Sequence, residues 1–147
     1  MSDAQEALTA LVLETFRLNG RLLAAGDALV AGTGLTSARW QVLGAILFAG
    51  RPLPVPRIAE AMGLTRQAVQ RQVNEMAAAG LLDFAPNPHH KRARLVVVTD
   101  AGRAAYAAAD ALQRPWAARL AEALGPGEAE AAAEVLRRLR AALEAQE

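Results

Sequence analysis

This sequence predicts a mainly α-helical fold with one small β-hairpin, arranged as a winged helix-turn-helix flanked by N- and C-terminal helices. Three observations carry that expectation. Alanine and leucine dominate, aromatic residues make up only 4%, and β-branched runs are almost confined to Leu95 to Thr99, a composition that favours helix. Apolar residues recur at three- and four-residue spacing in segments set apart by glycine and proline breaks. The central stretch PRIAEAMGLTRQAVQRQVNEMAAAGLL, Pro56 to Leu82, reads as two short helices joined at Gly63-Leu64-Thr65, and a hairpin carrying HHKRAR follows it. With 147 residues and 53% hydrophobic content, the chain fits one domain with an ordinary core.

Taken in order, Leu8, Leu11, Val12, Phe16 and Leu23 mark an amphipathic helix from Ala4 to about Ala25, with Ser2 or Asp3 as its cap. Gly26 and Gly32-Thr33-Gly34 break the pattern. A second helix is expected from Ser37 to Phe48, capped by Thr36, with Trp40, Leu43, Ile46 and Leu47 facing inward. Gly50-Arg51-Pro52 stops it, and Leu53 is a candidate for a very short strand. In the next helix Ile58, Ala59 and Met62 share one buried face. Gly63 can take the positive φ that ends a helix, and Thr65 is a good N-cap for the one after it. After Gly80, Leu81 to Phe84 and Leu95 to Val98 read as paired strands, with Pro86 and Pro88 keeping the connection out of regular pairing. Thr99 or Asp100 then caps a long helix carrying Ala105, Ala109, Leu112, Trp116, Leu120 and Leu124, in which Pro115 predicts a kink. Gly125-Pro126-Gly127 ends it. The last helix, Glu128 to about Gln146, gathers Ala132, Val135, Leu136, Leu139 and Leu143 on one face.

Charge and composition exclude several classes. The net charge is only +1, yet Val55 to Arg94 holds six basic residues (Arg57, Arg66, Arg71, Lys91, Arg92, Arg94) against three acids, a local +3. A basic patch on a near-neutral body is the footprint of a modest DNA binder. No cysteine is present, which removes disulfides, thiolate metal sites and thiol redox chemistry. The start, MSDAQEALTALVLE, lacks the basic region of a signal peptide, and the longest apolar run, Val42 to Gly50, is too short to span a bilayer. A cytoplasmic protein is expected. His89 and His90 have no cysteine or acidic cluster to complete a metal site and read better as wing-surface residues. Neither a catalytic triad nor a phosphate-cradling glycine loop is present, so the expectation is a non-enzyme without cofactor or metal.

The helix after Thr65 carries the functional signal. Val69, Val73 and Met76 form one apolar stripe, and Arg66, Gln67, Gln70, Arg71 and Asn74 lie off it. Arginine pairs with guanine, and glutamine or asparagine with adenine, on the major-groove edges of base pairs. Lys91, Arg94, Arg57 and Asn74 suit the phosphate backbone, which gives salt-dependent affinity without sequence readout. The apolar stripes of the terminal helices need a cover. A two-fold dimer would supply one and would set two such helices about 34 Å apart, one DNA turn; a monomeric helical body is the alternative.

The order of parts resembles the MarR family of winged-helix transcription regulators. The residues that carry the resemblance are LTSARWQVLGAI (Leu35 to Ile46), IAEAMGLTRQAVQRQVNEMAAAGLL (Ile58 to Leu82) and NPHHKRARLVVVTDAGRA (Asn87 to Ala104). The resemblance implies a single domain, with 35–99 as the winged helix-turn-helix and 1–34 with 100–147 as helical dimerisation regions. It also implies a homodimer on double-stranded DNA at a pseudo-palindromic operator. Thr65, Arg66, Gln67, Gln70 and Arg71 would then face the major groove, and Lys91, Arg92 and Arg94 the wing's contact. It further implies a small aromatic or amphipathic effector, for which Arg39 and Trp40 are the pocket candidates. One departure stands out: the family's wing usually has an acid two residues before an arginine, and here His90 stands two before Arg92. The expected function is a sequence-specific transcription regulator, a repressor released by an effector. The rival is a winged-helix protein-interaction module without an operator.

Overall fold

The computed structural model describes every residue, Met1 to Glu147. The order of elements is α1 (Asp3–Val30), a 3₁₀ turn (Ala31–Thr33), α2 (Ser37–Ala49), β1 (Leu53–Pro54), α3 (Val55–Met62), α4 (Arg66–Ala78), β2 (Leu82–Ala85), β3 (Leu95–Val98), α5 (Asp100–Ala121) and α6 (Glu128–Glu144). The chain forms two compact units, residues 1–112 and 113–147.

In the first unit, α1 begins with a capping box in which the Gln5 amide donates to Ser2 Oγ and the Ser2 amide donates to Gln5 Oε1. This helix runs past its expected end near Ala25, straight through Gly26 to Val30. The reason lies in packing. A Cβ at Gly26 would stand 2.3 Å from Ser37 Oγ, so the glycine permits a close approach to the start of α2 instead of a break. Two bonds hold the junction: Ser37 Oγ donates to the Leu23 carbonyl at 2.8 Å, and the Ser37 amide donates to Asp27 Oδ1 at 2.7 Å. Thr36 caps α2, accepting from the Arg39 amide at 3.2 Å.

The helix-turn-helix follows its sequence signals. Gly63 ends α3 at φ 65°, a left-handed conformation that an L side chain rarely adopts. Thr65 Oγ1 accepts from the Ala68 amide at 3.1 Å and starts α4. Val69, Val73 and Met76 of α4 are fully buried and pack in one cluster with Leu43, Ile58 and Val96. Each such side chain contributes about 1.5–3 kcal/mol relative to exposure.

The sheet has the antiparallel order β1-β3-β2, with Leu53 and Phe84 opposite Val96 from either side and Leu82 opposite Val98. Thr99 ties the hairpin to α5. Its Oγ1 donates to the Gly80 carbonyl at 2.6 Å and accepts from the Gly102 amide at 3.1 Å. A Cβ at Gly102 would lie 2.2 Å from the Leu81 carbonyl oxygen. That contact explains why the segment reads Thr-x-x-Gly.

The second unit holds the end of α5 and all of α6. Pro115 lies inside α5 without ending it. The Gly125 amide donates to Glu128 Oε2 at 2.8 Å in the turn before α6. Along α6, Val135, Leu136 and Leu143 stay exposed.

Candidate nucleic-acid interface

The face of α4 opposite its buried stripe carries the residues singled out from sequence. Arg66, Gln67, Gln70 and Arg71 are all exposed, as is Thr65 just before them. The division follows from helical geometry: burying Val69, Val73 and Met76 turns the intervening polar residues outward. Thr65 already spends one lone pair on its cap, and Gln70 Nε2 donates to Asn74 Oδ1 at 2.9 Å, which aligns two amide groups along the exposed face.

Lys91, Arg92 and Arg94 are exposed on the β2–β3 connection. Two adjoining clefts bring this wing and the helix-turn-helix together. One, of about 720 Å³, is lined by residues that include Arg57, Arg66, His90 and Arg92; the other, of about 520 Å³, by residues that include Arg66, Gln70, Asn74, Arg92 and Arg94. Arg66 and Arg92 line both, so the basic residues of helix and wing converge on one concave surface. Arg57 is also within 3.5 Å of Glu60, an exposed pair of the kind that contributes little to stability.

Two wing residues that are not among the expected DNA contacts, Phe84 and Asn87, prove to be structural. The Arg94 guanidinium stacks 4.1 Å above the centre of the Phe84 ring. Phe84 pairs with Val96, and Arg94 two residues earlier reaches the ring along the cross-strand diagonal. Asn87 Nδ2 donates to the Ala93 carbonyl at 2.9 Å while its Oδ1 accepts from the His89 amide at 3.0 Å. The signal for the second was the Asn-Pro pair at 87–88, which favours a turn with asparagine first and proline next.

The effector-pocket candidates sit elsewhere on α2. Trp40 is half-buried and packs against the core, Arg39 is half-buried beside it, and neither is among the residues lining the two clefts. Of the other aromatic residues, Phe16 and Phe48 are 70% and 87% exposed, which removes both from the core. Tyr106 packs over Gly44 of α2. Burial first, then the neighbouring Asp110 charge, raises its phenol above the ordinary 10.0.

A helix-turn-helix with a basic hairpin wing between long flanking helices defines a winged-helix transcription regulator fold. Comparison with known proteins gives it a family. A MarR family model matches residues 33–93. The chain is 37% identical to the uncharacterized protein Rv2011c of Mycobacterium tuberculosis over 99% of each chain. Among solved structures it is similar to Sco5413, a MarR family transcriptional regulator from Streptomyces coelicolor, at 28% identity, with 94% of this chain and 96% of that one covered and a TM-score of 0.77. A mutant MarR of Escherichia coli, complexed with operator DNA, shares the fold with a TM-score of 0.80 at 20% identity, over 94% of this chain and 99% of that one. The chain belongs to the MarR family of transcription regulators, which are non-enzymatic. No helix is long and apolar enough to cross a membrane.

Proposed function

We propose that this protein is a cytoplasmic, homodimeric regulator that binds a pseudo-palindromic operator in double-stranded DNA, represses transcription there, and is released by a small aromatic or amphipathic effector. The observation that carries the reading is the shared concave surface: exposed Arg66, Gln70 and Asn74 of α4 and Arg92 and Arg94 of the wing line it together. In this reading Thr65, Arg66, Gln67, Gln70 and Arg71 read base edges, where each bidentate contact contributes about 1–3 kcal/mol of discrimination. Lys91, Arg92 and Arg94 of the wing hold the backbone. The operator DNA in the Escherichia coli MarR complex supports the same use of a shared fold.

Dimerisation draws support from the apolar residues left uncovered on the single chain, with Phe16 70% exposed on α1 and Leu143 57% exposed on α6. In this reading residues 1–34 and 100–147 supply the dimer contacts and 35–99 the DNA-binding part. An effector acts through its differential affinity for two spacings of the paired α4 helices, and Arg39 and Trp40 are the residues proposed to meet it. The test is retention on genomic DNA at rising salt. Salt-sensitive retention that is lost in Arg71→Ala and Arg92→Ala upholds the reading. Retention unaffected by those changes, or absent in the wild-type dimer, contradicts it and favours a protein-interaction module.

A further inference from the structure

The wing ends in two successive turns, and one side chain closes both. In the first, the His90 amide donates to the Asn87 carbonyl at 3.3 Å, with Pro88 and His89 at the centre. In the second, the Ala93 amide donates to the His90 carbonyl at 3.3 Å, with Lys91 and Arg92 at the centre. Asn87 opens the first turn and spans the pair: its Oδ1 takes the His89 amide inside the first turn, and its Nδ2 reaches the Ala93 carbonyl at the close of the second. Both bonds are made by a half-buried side chain. The two basic residues of the tip therefore sit in a loop whose ends are joined by a single amide group.

We infer that Asn87 is the positioning residue of the wing: it holds the double turn in the shape that presents Lys91 and Arg92 to the DNA backbone, without touching DNA itself. The proposal rests on the DNA-binding reading above. Its physical basis is preorganisation. A loose seven-residue tip must be ordered when it meets its target, and that ordering subtracts from affinity, whereas a tip already closed gives up little on binding. The stacking of Arg94 on Phe84 holds the neighbouring cation at the foot of the same loop. That leaves the tip between Asn87 and Ala93 as the part whose order depends on Asn87. A net hydrogen bond corresponds to a factor of roughly 2 to 10 in an equilibrium, so losing two sets an expected effect of about tenfold.

The test compares wild type, Asn87→Ala, Asn87→Ser and Arg92→Ala for affinity to a selected DNA duplex over a salt series. Backbone order parameters of residues 88–93 are measured in the free protein alongside. Asn87→Ala is expected to bind about tenfold more weakly with an unchanged salt slope. Arg92→Ala, which removes a phosphate contact, lowers the slope by about one. The free-protein order parameters of the tip should fall from about 0.85 to below about 0.6 in Asn87→Ala. Asn87→Ser keeps an acceptor for the His89 amide but cannot reach Ala93, and should lie between the two. Unchanged affinity in Asn87→Ala, or a slope reduced as in Arg92→Ala, overturns the assignment. If the wild type binds no duplex, the DNA-binding reading fails instead, and the order parameters alone decide whether Asn87 holds the tip: a tip equally ordered without it overturns the assignment.

Discussion

The junction between α1 and α2 allows a prediction whose size follows from the structure. Gly26→Ala places a methyl group 2.3 Å from Ser37 Oγ and 3.5 Å from Ser37 Cβ. The second distance is ordinary contact, so only the hydroxyl must yield. Rotating it away abandons its 2.8 Å bond to the Leu23 carbonyl and strands a buried hydroxyl, which costs about 1–3 kcal/mol; the crowding itself adds about 1 kcal/mol or more. Against this, alanine in a helix interior is favoured over glycine by roughly 1 kcal/mol. The net expectation is a loss of about 2 kcal/mol. Ser37→Ala alone removes one hydrogen bond, about 1 kcal/mol. In the double variant the clash is gone while the helix gain remains, so it should match or exceed Ser37→Ala in stability. Urea unfolding of all four proteins at one fixed concentration measures the cycle. A neutral Gly26→Ala, or a double variant that merely adds the two single losses, refutes the close-packing account of this glycine.

Other consequences are more compact. Gly102→Ala drives a methyl group to 2.2 Å from the Leu81 carbonyl oxygen; backbone cannot rotate aside, so the unfolding free energy should fall by about 3 kcal/mol or more. Tyr106 is the only tyrosine, so its absorbance titration reads this phenol alone and should show a midpoint above 10.0. Because the folded-state value is the raised one, the stability linked to this group is complete below the ordinary value and is lost as pH rises through the folded value; Tyr106→Phe should remove that alkaline loss in a denaturation series. Phe16→Glu, on the exposed stripe of α1, should raise the dimer dissociation constant roughly 30-fold or more by sedimentation, and an unchanged constant would place the interface elsewhere.

What could be read from sequence was whatever depends on local spacing. The stripe Val69, Val73, Met76, the caps Thr36 and Thr65, and the turn at Gly63 each need only a few neighbouring residues to make their case, and the structure has all of them. Gly26 was misread because its reason lies eleven residues away: glycine in a helix looks like a break until Ser37 is seen against it. The wing was legible as a basic hairpin, but not as a stapled one, because the bond from Asn87 to Ala93 joins residues that no periodicity links. Phe16 reads as part of a buried stripe because large apolar residues at helical spacing usually are buried, and it is exposed on the single chain. Exposure is a property of the assembled surface, which a pattern of residue types does not carry.

The central claim is that the α4 face and the wing act together on an operator. The most direct measurement is selection of short genomic duplexes by the purified protein, followed by affinities of the enriched sequences across a salt series. The account predicts a pseudo-palindrome with half-sites about one helical turn apart and a steep fall of affinity with salt. Uniform weak binding to all sequences by an intact dimer, or no binding, would contradict it.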